Sequence, residues 1–178
     1  MMPRRRERAH ARRLPGLLLA ALGVLAASPA AQAGSAAVTF PTPDRYADGN
    51  LAWSPTDQRL TFEGLSRIFG RLAERRLPDG YRLDVEVVAL DLAGKIDPLR
   101  SRTGQLRVMR ADTWPSATLR FTLRRGGKVV ARGEDAIAYV DYLSDPLAVR
   151  SGEPLRFEKA MLDRWMRTRF ASLRPAES

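Results

Sequence analysis

The pattern that most limits how this chain can fold is the run "ATLRFTLRRGGKVVARGEDAIAYV", from Ala117 to Val140. Ala117, Leu119, Phe121 and Leu123 alternate with Thr118, Arg120, Thr122 and Arg124. That period of two puts apolar side chains on one face of a strand and polar ones on the other. Gly126 and Gly127 follow, and paired glycines supply the positive backbone angles of a tight hairpin turn. The two arms are therefore antiparallel neighbours. In the second arm a uniformly apolar or aromatic row, Ala136, Ala138, Val140 and Tyr142, alternates with a mixed row, Asp135, Ile137, Tyr139 and Asp141. Glu134 and Asp135 read as solvated charges that discourage edge-to-edge association.

Other elements arrange themselves around this hairpin. "AAVTF", Ala36 to Phe40, reads as a first strand, followed by an irregular stretch through Asn50. In "SPTD", Ser54 caps a helix, Pro55 takes its first position and Asp57 suits its positive end. Phe62, Leu65, Ile68, Phe69 and Leu72 share one face of that helix, which runs to about Arg76. Arg67, Arg71 and Arg75 line the opposite face and read as solvated, with Glu63 spaced to pair with Arg67. After the turn "LPDG" comes "YRLDVEVVALDLAG", where the apolar phase shifts at Val88 from Leu83, Val85 and Val87 to Leu90 and Leu92, the mark of a bulge. "KIDPLRSRTG" reads as a loop, "QLRVMR" as a short strand, "DTWPS" as a break, and Asp145-Pro146 as the start of another loop. "GEPLRFEKAMLDRWMRTRF" gives a last helix in which Glu158 and Lys159 project from the apolar face of Leu155, Leu162, Trp165, Met166 and Phe170. A carboxylate there needs a partner, and an arginine or a backbone N–H at the helix start is expected to provide it. The expected fold is α+β: a two-layer sandwich with a mixed or mostly antiparallel sheet of four or five strands and two helices on one face.

The first 33 residues read differently. Six arginines precede an apolar run from Leu14 to Ala27, and small residues end in Ala31-Gln32-Ala33. That order is a secretory signal peptide, with cleavage expected near Ala33 and a single domain over residues 34–178. The run of about 14 residues is shorter than the roughly 20 of a membrane-spanning helix, and no later segment comes closer. The Arg12-Arg13 pair hints at twin-arginine export, which Pro15 and Gly16 fit poorly. Taking the leader away removes six of 30 basic residues, one of 20 acidic residues and the only histidine, leaving 24 basic and 19 acidic residues, a formal charge of +5. Basicity this modest, in an exported chain, does not call for nucleic acid as a partner.

Residues 34–178 contain neither histidine nor cysteine. Ser-His-Asp triads, Cys-His pairs, thiol redox chemistry, histidine-ligated haem and ordinary zinc sites are closed to them. No cofactor is expected, and no metal site either, since "DYLSDPLAVRSGE" from Asp141 lacks the acid ladder and glycine of a calcium loop. Carboxylate chemistry remains open. Asp91, Asp112, Asp141 and Glu158 are the candidate catalytic acids, drawn from a set that also holds Asp97 and Asp145; Trp114 and Tyr142 are the candidate ligand-stacking aromatics, with Tyr139 beside them. The sharpest question is whether Asp141 and Tyr142 face a pocket with Glu158 or Asp112.

Four segments in order, "VTFPTPDRY", "VVALDLAG", "TWPSATLRFTL" and "EPLRFEKAMLDRW", resemble the bacterial secreted family catalogued as domain of unknown function 3016, over about Val38 to Phe170. The resemblance implies a soluble envelope protein and carries no activity or functional residue with it. The expected function is that of a non-enzymatic periplasmic binding or interaction domain, its partner another envelope protein or an anionic envelope component. The alternatives are a carboxylate-dependent hydrolase of envelope glycan and a peripheral binder of anionic lipid through the arginine face of the first helix.

Overall fold

The structure, a computed structural model, describes residues 33–47, 54–97, 99–100 and 106–173. Residues 1–32, where a signal peptide is expected, and residues 48–53, 98, 101–105 and 174–178 lie outside the described residues. In chain order the elements are β1 (Ser35–Thr39), α1 (Pro55–Arg76), β2 (Tyr81–Asp91), β3 (Lys95–Ile96), β4 (Arg107–Val108), β5 (Ser116–Arg125), β6 (Lys128–Ala138), α2 (Pro146–Arg150) and α3 (Arg156–Arg169). The main sheet has the order β1-β2-β5-β6, with β1 parallel to β2 and the other two pairings antiparallel. Of the sheets expected, mixed or mostly antiparallel with four or five strands, it is the mixed one with four.

Local chemistry explains where the elements start and turn. The Ser54 hydroxyl accepts from the Asp57 amide at 3.2 Å, and Pro55 opens α1 as expected. Gly126 and Gly127 adopt φ of 53° and 79°, the left-handed pair that closes β5 onto β6. In β2 the register with β5 slips between Val87 and Ala89, so that Leu83, Val85 and Val87 and then Leu90 and Leu92 all reach the core. The extra residue, Val88, absorbs the change of phase.

The core lies between this sheet and α1 and α3. Leu65, Ile68, Phe69, Leu72 and Ala73 of α1, with Met161, Leu162, Trp165 and Met166 of α3, cover Leu119, Phe121 and Leu123 of β5. Trp165 meets Phe69, Phe121 and Phe170 edge to face, with ring centroids 5.6 to 6.3 Å apart. The two helices are also clamped by a charged fork, in which Arg76 Nε and Nη2 each donate to an Asp163 carboxylate oxygen at 2.9 Å. The other face of the sheet is open, and its charges pair along and across strands: Asp84 with Arg82 of the same strand and with Arg124 of β5, and Arg120 with Glu86 of β2 and Glu134 of β6.

Four expectations need correction. Asp145-Pro146 begins the helix α2 and not a loop, because the Asp145 carboxylate accepts from the Leu147 and Ala148 amides at 2.9 and 3.0 Å. "KIDPL" is not wholly loop: Lys95 and Ile96 pair with Val108 and Arg107 in a separate two-stranded ladder. Leu155 does not belong to the last helix; it caps α3 in the left-handed region at φ 57°. On β6 it is the mixed row that turns towards the helices, leaving Ala136 and Ala138 exposed. Asp135 is therefore not solvated: it accepts from Trp165 Nε1 at 2.9 Å and pairs with Arg169 at 3.2 Å. A core indole N–H needs an acceptor, which decides the strand's orientation against its own apolar row.

Candidate functional site

The six candidate residues do not converge. Asp91, at the end of β2, pairs with Lys95 and borders a shallow hollow with Ala89, Thr118 and Ala136. Asp112 lies exposed on the turn before Trp114, and Trp114 is itself 39% exposed beside the buried Pro115. Asp141 is exposed at the head of the 3-10 turn Tyr142–Ser144 and caps it with no side-chain hydrogen bond. Tyr142, expected as a ligand contact, is fully buried. Its hydroxyl donates to the Arg110 carbonyl at 2.8 Å and accepts from the Arg110 amide at 3.0 Å, while its ring packs edge-on against Phe157 with centroids 4.7 Å apart. Tyr142 thus bolts the segment after β6 to the turn that carries Asp112.

Glu158 is 3% exposed, and its Oε1 accepts from the Ala93 amide at 2.8 Å. A backbone N–H is one of the two kinds of partner the sequence anticipates, the other being an arginine, but this one comes from the β2 exit and not from the helix start. Phe157 and Ala93 pack with Tyr142 and Ala148 in a small cluster apart from the main core. Tyr142 and Glu158 are therefore joined through Phe157 and Ala93 and do not face each other across a pocket.

Glu158 does line a cavity, of a different character. A groove of about 690 Å³ runs along α1, with the β2 exit at Leu92 and Ala93, β4 with Met109, and the approach to α3 from Glu153 to Glu158 as its other walls. The volume lies within the range of ligand sites. Arg67 and Arg71 of α1, Arg107 of β4 and Arg156 of α3 border it. Arg107 Nη1 donates to the Ala93 and Gly94 carbonyls at 3.3 and 2.9 Å. Arg67 stands 3.9 Å from Glu63, which Arg59 holds more closely at 3.1 Å. Glu153 is engaged by Lys159 Nζ at 2.6 Å, a hydrogen bond that holds its carboxyl below the usual range. Neither Arg71 nor Arg156 forms an ion pair within 4 Å among the described residues.

On the far side of Arg156 a second cleft, about 430 Å³, is bordered by Arg75, Lys159, Arg164 and Arg167 together with Leu147. There the hydrogen bond from the Ala148 amide, the largest influence, and one from Tyr139 draw Asp145 below the ordinary carboxylate value against the opposing effect of burial. Tyr139 moves up in turn, through burial first and then through its bond to Asp145.

Sequence reasoning sees Arg67 and Arg71 as a solvated row, with docking on anionic lipid as the alternative, and passes over Arg107 and Arg156. The usable signal is Glu158: a carboxylate on an apolar helix face marks the place where α3, α1 and the β2 exit meet. Among the described residues no group of three or more acids, histidines or cysteines is placed to hold a metal ion, and no helix is long and apolar enough to cross a membrane.

These features define a two-layer α+β domain with an open sheet face and an arginine-rimmed groove in its helix layer. The chain belongs to the family described as Protein of unknown function (DUF3016), which matches residues 34–168. No curated protein and no solved structure matches it significantly.

Proposed function

We propose that the protein is an exported, non-enzymatic binding domain of the bacterial cell envelope, and that the groove between α1 and the approach to α3 is its binding site. One observation carries the reading: the groove is bordered by four arginines from three elements, two of them without a carboxylate partner among the described residues. A photo-crosslinking residue at Thr61, on the groove wall, is expected to capture a reproducible envelope component in cells, with Arg71→Glu abolishing capture. Recovery of the chain only in the cytoplasm, or capture unaffected by Arg71→Glu, contradicts it.

The hydrolase alternative has less support, because no two of Asp91, Asp112, Asp141 and Glu158 together line the groove, the second cleft or the hollow beside Asp91, and general acid-base work needs paired carboxylates. Attachment to anionic lipid has a specific observation in its favour, at a place other than the α1 arginine row. Val140, Leu143, Leu147 and Val149 are exposed in one short segment ending at Arg150, with Leu147 81% accessible. Such attachment predicts co-sedimentation with anionic vesicles that weakens with added salt and is lost in Leu147→Asp.

A further inference from the structure

We infer that the groove holds an amphiphilic oxyanion, with a carboxylate or phosphate head against Arg71 and Arg156 and an apolar body along Leu92, Met109 and Leu155. This rests on the groove being the binding site and assigns that site a ligand class.

The charges around the groove are distributed unequally. Glu153 is engaged by Lys159, Glu158 by the Ala93 amide, and Arg107 donates to two carbonyls. Arg71 projects from the exposed side of α1, and its charge reaches Glu153 only through space. Arg156 is held by stacking, its guanidinium carbon 4.7 Å from the centre of the Phe157 ring. Its Nε is the one buried side-chain nitrogen or oxygen among the described residues that lacks a hydrogen-bond partner. Such a donor is normally satisfied, and a guanidinium fork matches the planar or tetrahedral oxygens of carboxylate and phosphate.

Both arginines stand at the same end. Arg156 also borders the second cleft together with Arg75, which lies one helical turn beyond Arg71. Asp57, the remaining acid of the groove, sits in the first turn of α1, roughly 20 Å away at 1.5 Å per residue. Along the groove the walls include Ile68, Leu92, Met109, Leu155 and Phe157, with Arg67, Arg107 and Glu158 beside them. The positive end of α3 opens at the same place, with no side-chain cap at Leu155. Gly64 lets Leu155 lie close against α1: a Cβ there would come within 2.8 Å of Leu155 Cδ1 and push that apolar wall aside. A trough with apolar stretches in its walls, whose two arginines without an ion-pair partner border the same cavity, suits a ligand that is apolar along its length and anionic at its tip.

The test is calorimetric titration of the full-length chain with octanoate, octyl phosphate, octyl glucoside and inorganic phosphate. Either octyl anion, or both, is expected to bind at least about tenfold more tightly than octyl glucoside or inorganic phosphate, and comparing the two identifies the head. Arg71→Ala is expected to weaken octyl-anion binding about tenfold, the loss of one charge-assisted hydrogen bond. Arg156→Ala should do the same; if it fails to fold, the exposed Arg71 carries the test. Gly64→Ala should weaken the octyl anions and leave inorganic phosphate unchanged. Equal binding of octyl glucoside, equal binding of inorganic phosphate, or octyl-anion binding indifferent to Arg71→Ala each overturns the assignment. A peptide crosslinked at Thr61 by a protein that ignores both octyl anions also overturns it, while leaving the groove as a binding site; absence of any capture in the groove removes both readings.

Discussion

Glu158 and Asp145 are both carboxylates that accept backbone amides, yet their settings predict different behaviour. Asp145 caps α2 at a partly exposed position, so Asp145→Ala is expected to lower stability by about 1 kcal/mol in urea denaturation, with little change in slope. Glu158 meets the Ala93 amide as a buried side chain at the groove wall. Glu158→Ala leaves that amide without an acceptor and should cost about 1–3 kcal/mol, whereas Glu158→Gln retains a carbonyl oxygen and should cost less. Equal losses for the two Glu158 variants show that the carboxylate's charge, and not its acceptor oxygen, is what matters. Asp135 shows how far a residue can be read from its neighbours in the chain. Its place in an alternating strand was legible, but the face it occupies was set by Trp165, 30 positions later.

Among the elements, α1 and α3 are joined by the Arg76–Asp163 fork, whose side chains are 22% and 23% exposed. A double-mutant cycle with Arg76→Ala and Asp163→Ala is expected to give a coupling of about 1 kcal/mol or more. The same cycle on Arg59 and Glu63, exposed within one helix, should give about 0.3–0.5 kcal/mol. A weaker coupling at the fork removes it as an interhelical clamp. The long elements were legible because each has a full period of its own: β5 alternates, α1 has a capped start and an apolar stripe, and the bulge at Val88 appears as a change of phase. β4 was anticipated as the short strand in "QLRVMR", but β3 and α2 were not, since elements of two to five residues complete no period and exist only through their partners.

For the whole molecule, pH stability has two limbs of opposite origin. Burial works to raise Asp84, but the hydrogen bonds and charges of Arg82 and Arg124 outweigh it, and Asp145 is likewise lowered. A carboxyl lowered in the fold contributes stability above the unfolded value near pH 4, and that stability is lost as pH falls through the folded-state value. Both groups are solvent-screened, so the acid limb should be shallow. Tyr46 lies at the other extreme: burial, then the charge of Glu86, pushes its phenol up to about 12, and its hydroxyl donates to the Val87 carbonyl. The neutral phenol's contribution is complete below about pH 10, the unfolded value, and disappears as pH rises towards 12. Melting temperatures across pH, with phenolate absorbance followed in alkali, test both limbs. A tyrosine set titrating wholly near pH 10 rules out the second.

By itself the sequence determined the strand and helix periods, the hairpin, the α+β class, and the exclusion of histidine and cysteine chemistry from residues 34–178. These follow from residue identity and from spacings of two to four residues, which one stretch of chain contains in full. The tertiary structure alone decided which face of β6 is covered, that Tyr142 is a packing bolt, and that Arg71, Arg107 and Arg156 border one groove with Glu158. Those facts depend on residues tens of positions apart meeting, and on which buried donor finds an acceptor once α3 lies on the sheet.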